Sequence, residues 1–427
     1  MKSDLHKVLH PLAGRPMLLH LLAAVDALGA AAKVVVVGAR REQVEAAVAG
    51  CGIAVAVQAE QRGTAHAVLA ARDALGDFAG DVLILYGDVP LVETATMRAM
   101  LDALTADVAA VVLGFRPVDP GAYGRIVAAD GVIASMVEFK DASDAERVVG
   151  LCNSGLMAVR AADLWPLLSR VGNANAAGEY YLPDIIGLAD RPSRVIETHA
   201  NEVAGVNSRG ELAAVEAAWQ TQRRAAMMAA GVTLTAPGTV WFAFDTAIER
   251  DVTIEPNVVF GPGVTIAQGA MIRAFSHIAG ATIGRHAEVG PFARLRPGAV
   301  LGAKAKVGNF VEVKQATLAQ GAKVNHLSYI GNADIGEGAN IGAGTVTCNY
   351  DGFFKYRTSI GAGAFIGSNS ALVAPVAIGA GAIVAAGSTI TADVPADALA
   401  LVRPAQIAKP GLAARFRSAM GARKTGH

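Results

Sequence analysis

The sequence carries no net charge: Lys plus Arg and Asp plus Glu each number 37 in 427 residues. No global field draws such a molecule toward nucleic acid or an anionic membrane, so any phosphate site has to be local. Long hydrophobic runs are also lacking. Although 53% of residues are hydrophobic, Ala supplies much of that share, and no uninterrupted apolar stretch reaches the ~18 residues of a membrane span. A soluble protein without membrane insertion is expected. Cysteine is scarce: Cys51, Cys152 and Cys348 lie far apart and form no C-x-x-C pair, which fits a reducing cytoplasm. A secretory leader is not expected, because His20 interrupts MLLHLLAAV and Asp26 stands where a small-residue cleavage site belongs.

Two different texts follow one another. In the first half, KVVVVG, IAVAVQ, DVLILYGD, VAAVVLGF and RVIETH read as strands, with Ala- and Leu-rich helical patterns between several of them. That alternation predicts an α/β domain over 1–207, doubly wound on a mostly parallel sheet. The stretch 208–231 contains ELAAVEAAWQTQRRAAMMAA, free of Gly and Pro, and predicts one linker helix.

From 232 to 427 the period changes to six. Apolar residues recur from Ile254, Phe260, Ile266, Ile272 and Ile278, through Ile283, Val289, Leu295, Leu301, Val307 and Val313, and, after single-residue phase slips, to Ile378, Val384 and Ile390. A hexad of this kind makes one short strand and one corner, three hexads make a coil, and the series predicts a β-helix. A β-sandwich would show period two and irregular turn spacing instead. One insertion, TCNYDGFFKYRTS, breaks the register between Ile341 and Ile360. Beyond Asp397 the tail holds Arg403, Lys409, Arg415, Arg417, Arg423 and Lys424 and no acidic residue. It reads equally as a solvated tail or a phosphate-binding one.

Two constellations carry chemistry. DVLILYGDVP is a buried strand that delivers Asp88 to the sheet's carboxyl edge, where open α/β sheets bind ligands. Gln58 and the Gly63-Thr64 turn, which opens a helix, offer backbone N–H groups to phosphate or a nucleobase. Gly124, Glu138, Asn153 and Asn207 add polar islands, and Lys7 is a candidate phosphate clamp. In the hexads, NHLSYIGNADIGEGANIGAGTVTCNYDG crowds His326, Tyr329, Asn340, Asn349 and Tyr350 into a segment that should otherwise be monotonous. His326 falls two residues after inward-pointing Val324, where the corner turns, and suits removal of a proton from an attacking amine. Arg296 and Lys314 are expected near the same corner column as cations for an anionic acceptor.

These motifs resemble the bacterial family of bifunctional UDP-N-acetylglucosamine pyrophosphorylases and glucosamine-1-phosphate N-acetyltransferases, the GlmU type. SDLHKVLH, QAEQRGTAHAV, LYGDVPL, AYGR, VEFKDA, NSGL, GEYYLPDI and GVNSR carry the resemblance in the first half. GPFARLRPGA, VGNFVEVK, the NHLSY to NYDG run and IGSNSALVAPV carry it in the second. The resemblance implies a Rossmann-like nucleotidyltransferase domain followed by a left-handed parallel β-helix that assembles into homotrimers. It implies Mg²⁺ on Asp88 and Asn207, with Lys7, Gln58, Gly63, Thr64, Tyr86, Gly87, Gly124, Glu138, Asn153 and Asn207 around the uridine nucleotide and sugar. For the second half it implies His326 as base and acceptor contacts from Arg296, Lys314, Tyr329 and Asn340. Acetyl-CoA would meet Ala343, Asn349, Tyr350, Ser368, Ala386 and Arg403.

The implied reactions are acetyl transfer from acetyl-CoA to glucosamine 1-phosphate, then uridylyl transfer from UTP to the acetylated sugar phosphate. The product, UDP-N-acetylglucosamine, is a precursor of peptidoglycan and lipopolysaccharide. Family members open with a hydrophobic strand and a loop of the form LAAGxGTRM. Met1 is expected to be the Met that closes this loop, and the first strand and Gly-rich segment to be encoded upstream. An alternative is an acetyltransferase alone, with the first domain an inactive scaffold. A non-enzymatic alternative, a hexad oligomerisation module, gives no reason for NHLSY and GAGTVTCNYDG.

Overall fold

The computed structural model describes residues 1–424. It divides into two compact units, Met1–Arg223 and Arg224–His427.

In the first unit the apolar runs form strands, but the sheet is mixed. Its order is Asp81–Ile84, Cys152–Arg160, Ala110–Phe115, Arg194–Thr198, Val132–Val137, Arg125–Ala129. Cys152–Arg160 runs antiparallel to both of its neighbours; Arg194–Thr198 is parallel to Ala110–Phe115 and antiparallel to Val132–Val137. The expectation of a mostly parallel sheet is therefore corrected. The cause is CNSGLMAVR, a nine-residue strand that enters between Asp81–Ile84 and Ala110–Phe115. Those two strands keep a common direction, but neither touches the other.

Ala110–Phe115 is buried along its whole length, and the two-residue period divides its side chains between two cores. Ala110 and Val112 pack with Ile126, Met157, Val159 and Leu164. Val111, Leu113 and Phe115 pack with Met97, Met100, Leu156 and Ala158. Val34–Val37 and Ala54–Val57 form a separate parallel pair. The predicted helix is present as Arg209–Ala229, and its Val215 joins Leu12, Met17 and Val206 in a further cluster.

The second unit is built on three parallel sheets of ten, eight and eight short strands. In-register pairs such as Ile272↔Val289, Val289↔Val307, Val307↔Val324 and Val324↔Ile341 stack the hexad positions coil on coil. These side chains are buried, as are those of the other two sheets, so six-residue periodicity becomes a continuous dry core. Outside, Phe275, Phe292 and Phe310 form a stacked ladder on one corner, with centroids 5.0 and 5.2 Å apart. No described helix is long and apolar enough to cross a membrane. The basic tail contains an exposed helix, Leu412–Lys424.

Candidate active sites

Lys7 starts a one-turn helix, Lys7–Leu9, and its ammonium reaches two residues remote in sequence. Nζ lies 2.5 Å from Asp88 Oδ2 and 2.9 Å from Asn207 Oδ1. Asp88 follows the Asp81–Ile84 strand and Asn207 precedes the long helix, so three separate segments converge on one cation. Val206 N–H donates to Asp88 O at 3.0 Å, which ties the Asp88 and Asn207 segments together through the backbone.

The turn before the Thr64–Ala70 helix is fixed from outside. Gly63 has φ +116°, and a Cβ there would stand 2.5 Å from Tyr180 O. Ala65 N–H donates to Tyr180 O at 2.9 Å, while Thr64 Oγ1 accepts from Leu182 N–H at 2.9 Å. The GEYYLPDI segment is thus the clamp that holds this turn. Gln58 donates to Gly63 O at 3.1 Å and contacts His66 Nδ1 at 3.0 Å. The Tyr86 hydroxyl bonds Thr64, and desolvation, then the charges of Glu138 and Asp88, push its pKa up to about 12. Gly155 (φ +85°) lies so close to the Tyr86 ring that no side chain fits there.

Across the same sheet edge, Asn153 N–H donates to Gly124 O at 2.9 Å. A Cβ on Gly124 would sit 3.4 Å from both Glu138 oxygens. Burial, then the charges of Asp141 and Asp184, raise the Glu138 pKa. Lys7, Gln58, Thr64, Tyr86, Gly87 and Asp88 line one cavity, while Glu138, Asp141 and Asp184 line a neighbouring one. Asp141 and Asp184 were not foreseen, although VEFKDA and GEYYLPDI contain them.

In the second unit the expected site residues separate onto two corners. His326 ends the Lys323–His326 strand and pairs in register with Asn309. Its Nδ1 lies 2.5 Å from Asn309 Oδ1. Backbone bonds continue up this corner: Gly344 N–H to His326 O (3.3 Å), Asn369 N–H to Ala343 O (2.7 Å), Gly387 N–H to Ser368 O (2.8 Å). Arg403 Nη1 then donates to Ala386 O at 2.6 Å. His326, Ala343, Ser368, Ala386 and Arg403 therefore form one column.

Arg296 and Lys314 do not belong to it, contrary to expectation. Lys314 pairs with Gly331, five residues beyond His326, and Arg296 N–H donates to Val313 O in the coil below. One hexad spans one strand, so this offset carries them to the strand's other end. There Arg296 Nη1 is 2.7 Å from Glu312 Oε1. The charges of Arg296 and then Lys355 hold the Lys314 pKa low. Asn349 joins this second corner through Asn332 (Nδ2 to Oδ1, 2.7 Å), and Tyr350 bridges to Lys355 in the insertion. The Tyr329 ring lies along the strand between the corners, with its hydroxyl toward Gly331. Asn340 opens the strand that leads to Ala343. Asn309, Glu312 and Lys355 were missed as site residues. A step of one coil back from His326 would have found Asn309 in the quoted VGNFVEVK motif.

Two transferase modules are thereby joined in one chain. Residues 1–153 match the MobA-like NTP transferase domain family, and residues 245–280 and 357–392 match the bacterial transferase hexapeptide family, six repeats. The chain is 64% identical to the bifunctional protein GlmU of Sphingopyxis alaskensis, over 99% of this chain and 95% of that protein. It is 66% identical to that of Rhizorhabdus wittichii, with the same coverages, and 57% identical to that of Zymomonas mobilis, covering 98% and 94%. The chain belongs to the GlmU family of bifunctional enzymes, acetyltransferases and uridylyltransferases in one polypeptide.

Proposed function

We propose that the His326 column is the acetyl-transfer site and that Lys7, Asp88 and Asn207 centre the uridylyl-transfer site. The observation that carries the first half is the alignment of His326 with Ala343, Ser368, Ala386 and Arg403 on one corner. An extended acetyl-CoA laid along that column presents its thioester at His326 and its phosphates toward Arg403. His326 Nε2 takes a proton as the amine nitrogen of glucosamine 1-phosphate attacks the thioester carbon. The C–N bond forms, the C–S bond breaks, and the proton passes to the departing thiolate. Cys348 has no part in this direct transfer.

Arg296, Lys314 and Lys355 supply positive charge suited to the acceptor's phosphate, but they stand at the other end of a strand from His326. The homotrimer joins these halves: packing three coils side by side sets the His326 corner of one copy against the cationic corner of the next.

In the first unit an oxygen of the acetylated sugar phosphate attacks the α-phosphorus of UTP, and pyrophosphate leaves. Asp88 and Asn207 offer one carboxylate and one amide oxygen to a common cation, a donor set suited to Mg²⁺. When bound, Mg²⁺ neutralises charge on the phosphates. Among the described residues no cluster of three or more His, Cys, Asp or Glu could hold a metal, so substrate oxygens would complete the set. Lys7 binds phosphate, Tyr86 and Gly155 shape the wall, and Glu138 and Asn153 hold sugar hydroxyls.

Parallel assays on one full chain test both halves. His326→Ala should lower thiol release from acetyl-CoA by roughly 10²–10⁴ and leave pyrophosphate release unchanged. Asp88→Ala should do the reverse. Retained acetyl transfer in a folded His326→Ala protein overturns the base assignment.

A further inference from the structure

The insertion in the hexads is a hairpin closed by its own bonds. Tyr356 N–H donates to Asn349 O at 2.9 Å and Asp351 N–H to Phe354 O at 3.3 Å, while Tyr350 and Lys355 bridge as an antiparallel pair. At the tip, Asp351 Oδ1 accepts from the N–H groups of Phe353 (2.8 Å) and Phe354 (2.7 Å). A loop bonded to itself in this way moves as one body, so its two base points decide where Lys355 stands.

One residue holds both base points. On the near leg, Asn349 Nδ2 donates to Asn332 Oδ1 at 2.7 Å; on the far leg, Thr358 N–H donates to Asn332 O at 3.0 Å. Asn349 is buried, and a buried amide that loses its acceptor carries the full desolvation penalty. Asn332 is fixed from below in turn: its N–H donates to Lys314 O at 3.0 Å and its Nδ2 to Gln315 Oε1 at 3.2 Å. Gln315, Asn332 and Asn349 stand 17 residues apart and make a ladder of three amides up this corner. A side-chain amide can accept from the rung above and donate to the rung below at once, and Asn tolerates the left-handed φ of +47° found here.

The ladder works against a repulsion. Lys355 adjoins Lys314, whose pKa the charges of Arg296 and then Lys355 lower. Like charges so placed push apart, and a hairpin free at its base would swing Lys355 into solvent. The Arg357–Asp334 ion pair reinforces the far leg, whereas the near leg is joined to the coil below through the Asn332 side chain.

We propose that Asn332 is a positioning residue for acetyl transfer, which seats the hairpin through Asn349 and Thr358 so that the Lys355 ammonium joins Lys314 and Arg296 around the acceptor's phosphate. This role rests on the acceptor reading of that corner given above and adds to it the residue that assembles the corner. Asn332 acts through the hairpin, not on the reacting atoms.

The test is a double-mutant cycle on the full chain, read as acetyl transfer to glucosamine 1-phosphate. Asn332→Gly removes the side chain while Gly keeps the positive φ without strain. KM for glucosamine 1-phosphate should rise about five- to tenfold, the scale of one buried hydrogen bond, with kcat held within about twofold. Lys355→Met should raise the same KM, and Asn332→Gly added to Lys355→Met should raise it little further, because the cation to be positioned is gone. Hydrogen exchange at the Tyr356 amide should quicken about tenfold or more in Asn332→Gly. Asn332→Asp still accepts from Asn349 and should leave that exchange near wild type. Fully additive effects on KM would make Asn332 merely structural and overturn the proposal, as would equal loosening by the Asp and Gly variants. An unchanged KM in Asn332→Gly beside an impaired Lys355→Met overturns the positioning role alone. An unchanged KM in Lys355→Met overturns the acceptor reading itself, and the positioning role falls with it.

Discussion

Asn309 Oδ1 stands 2.5 Å from His326 Nδ1, one coil apart on the same corner of the β-helix. An amide oxygen there accepts from Nδ1–H, which places the imidazole lone pair on Nε2 and aims it outward. Asn309→Ala removes one hydrogen bond of about 1 kcal/mol, so kcat for acetyl transfer should fall about five- to tenfold. KM for acetyl-CoA should stay unchanged. Asn309→Asp adds a carboxylate that favours imidazolium, so the acid limb of the kcat profile should move to higher pH. An unmoved limb would show that Asn309 only fills space.

Lys7→Met leaves Asp88 and Asn207 without the ammonium that joins them. Pyrophosphate release should fall by roughly 10²–10³, the scale of removing one preorganised charge partner. Acetyl transfer measured on the same preparation should not change.

Gly155 holds φ +85° with the Tyr86 ring packed against its α-carbon. Gly155→Ala should cost about 1–3 kcal/mol from the backbone alone, with more from displacing the ring. Denaturant unfolding should show the loss in the first transition only, and the β-helix transition should keep its midpoint.

Asp334 is paired with Arg357 across the insertion. The hydrogen bond from Arg357 lowers the Asp334 pKa below its ordinary 3.8. A depressed carboxylate contributes stability above the unfolded value and loses it as pH falls through the folded value. Because both side chains are half exposed, Asp334→Asn should cost under about 1 kcal/mol at pH 7. The difference from wild type should shrink below pH 3.8 and vanish in stronger acid. A constant difference across that range would contradict the pairing.

The hexads were legible because each repeats one physical instruction, an apolar side chain turned inward every six residues, which Ile254 through Ile390 keep apart from single-residue slips such as Ile278 to Ile283 and the insertion after Ile341. The sheet of the first unit was legible only in part. VAAVVLGF announces its own burial, whereas CNSGLMAVR mixes polar and small residues and hides a strand that separates two others. Site motifs named Lys7, Asp88 and Asn207, and the fold brings these three together across 200 residues. The separation of the expected acetyl-site residues onto two corners was not visible, since it depends on counting positions within a coil. Lys314 and His326 are near in sequence yet a strand apart in space.

Above His326 the corner column repeats one backbone hydrogen bond per coil. Successive coils rise by about 4.8 Å, and three backbone steps lead from His326 to Gly387, so the column is a ruler of about 14 Å, capped where the Arg403 guanidinium bonds Ala386 O. If the column holds acetyl-CoA as proposed, its fixed rise would measure the acyl donor by the length of its carrier arm. Removing one whole coil would shorten the measure by a fixed notch while leaving the inward repeat in phase.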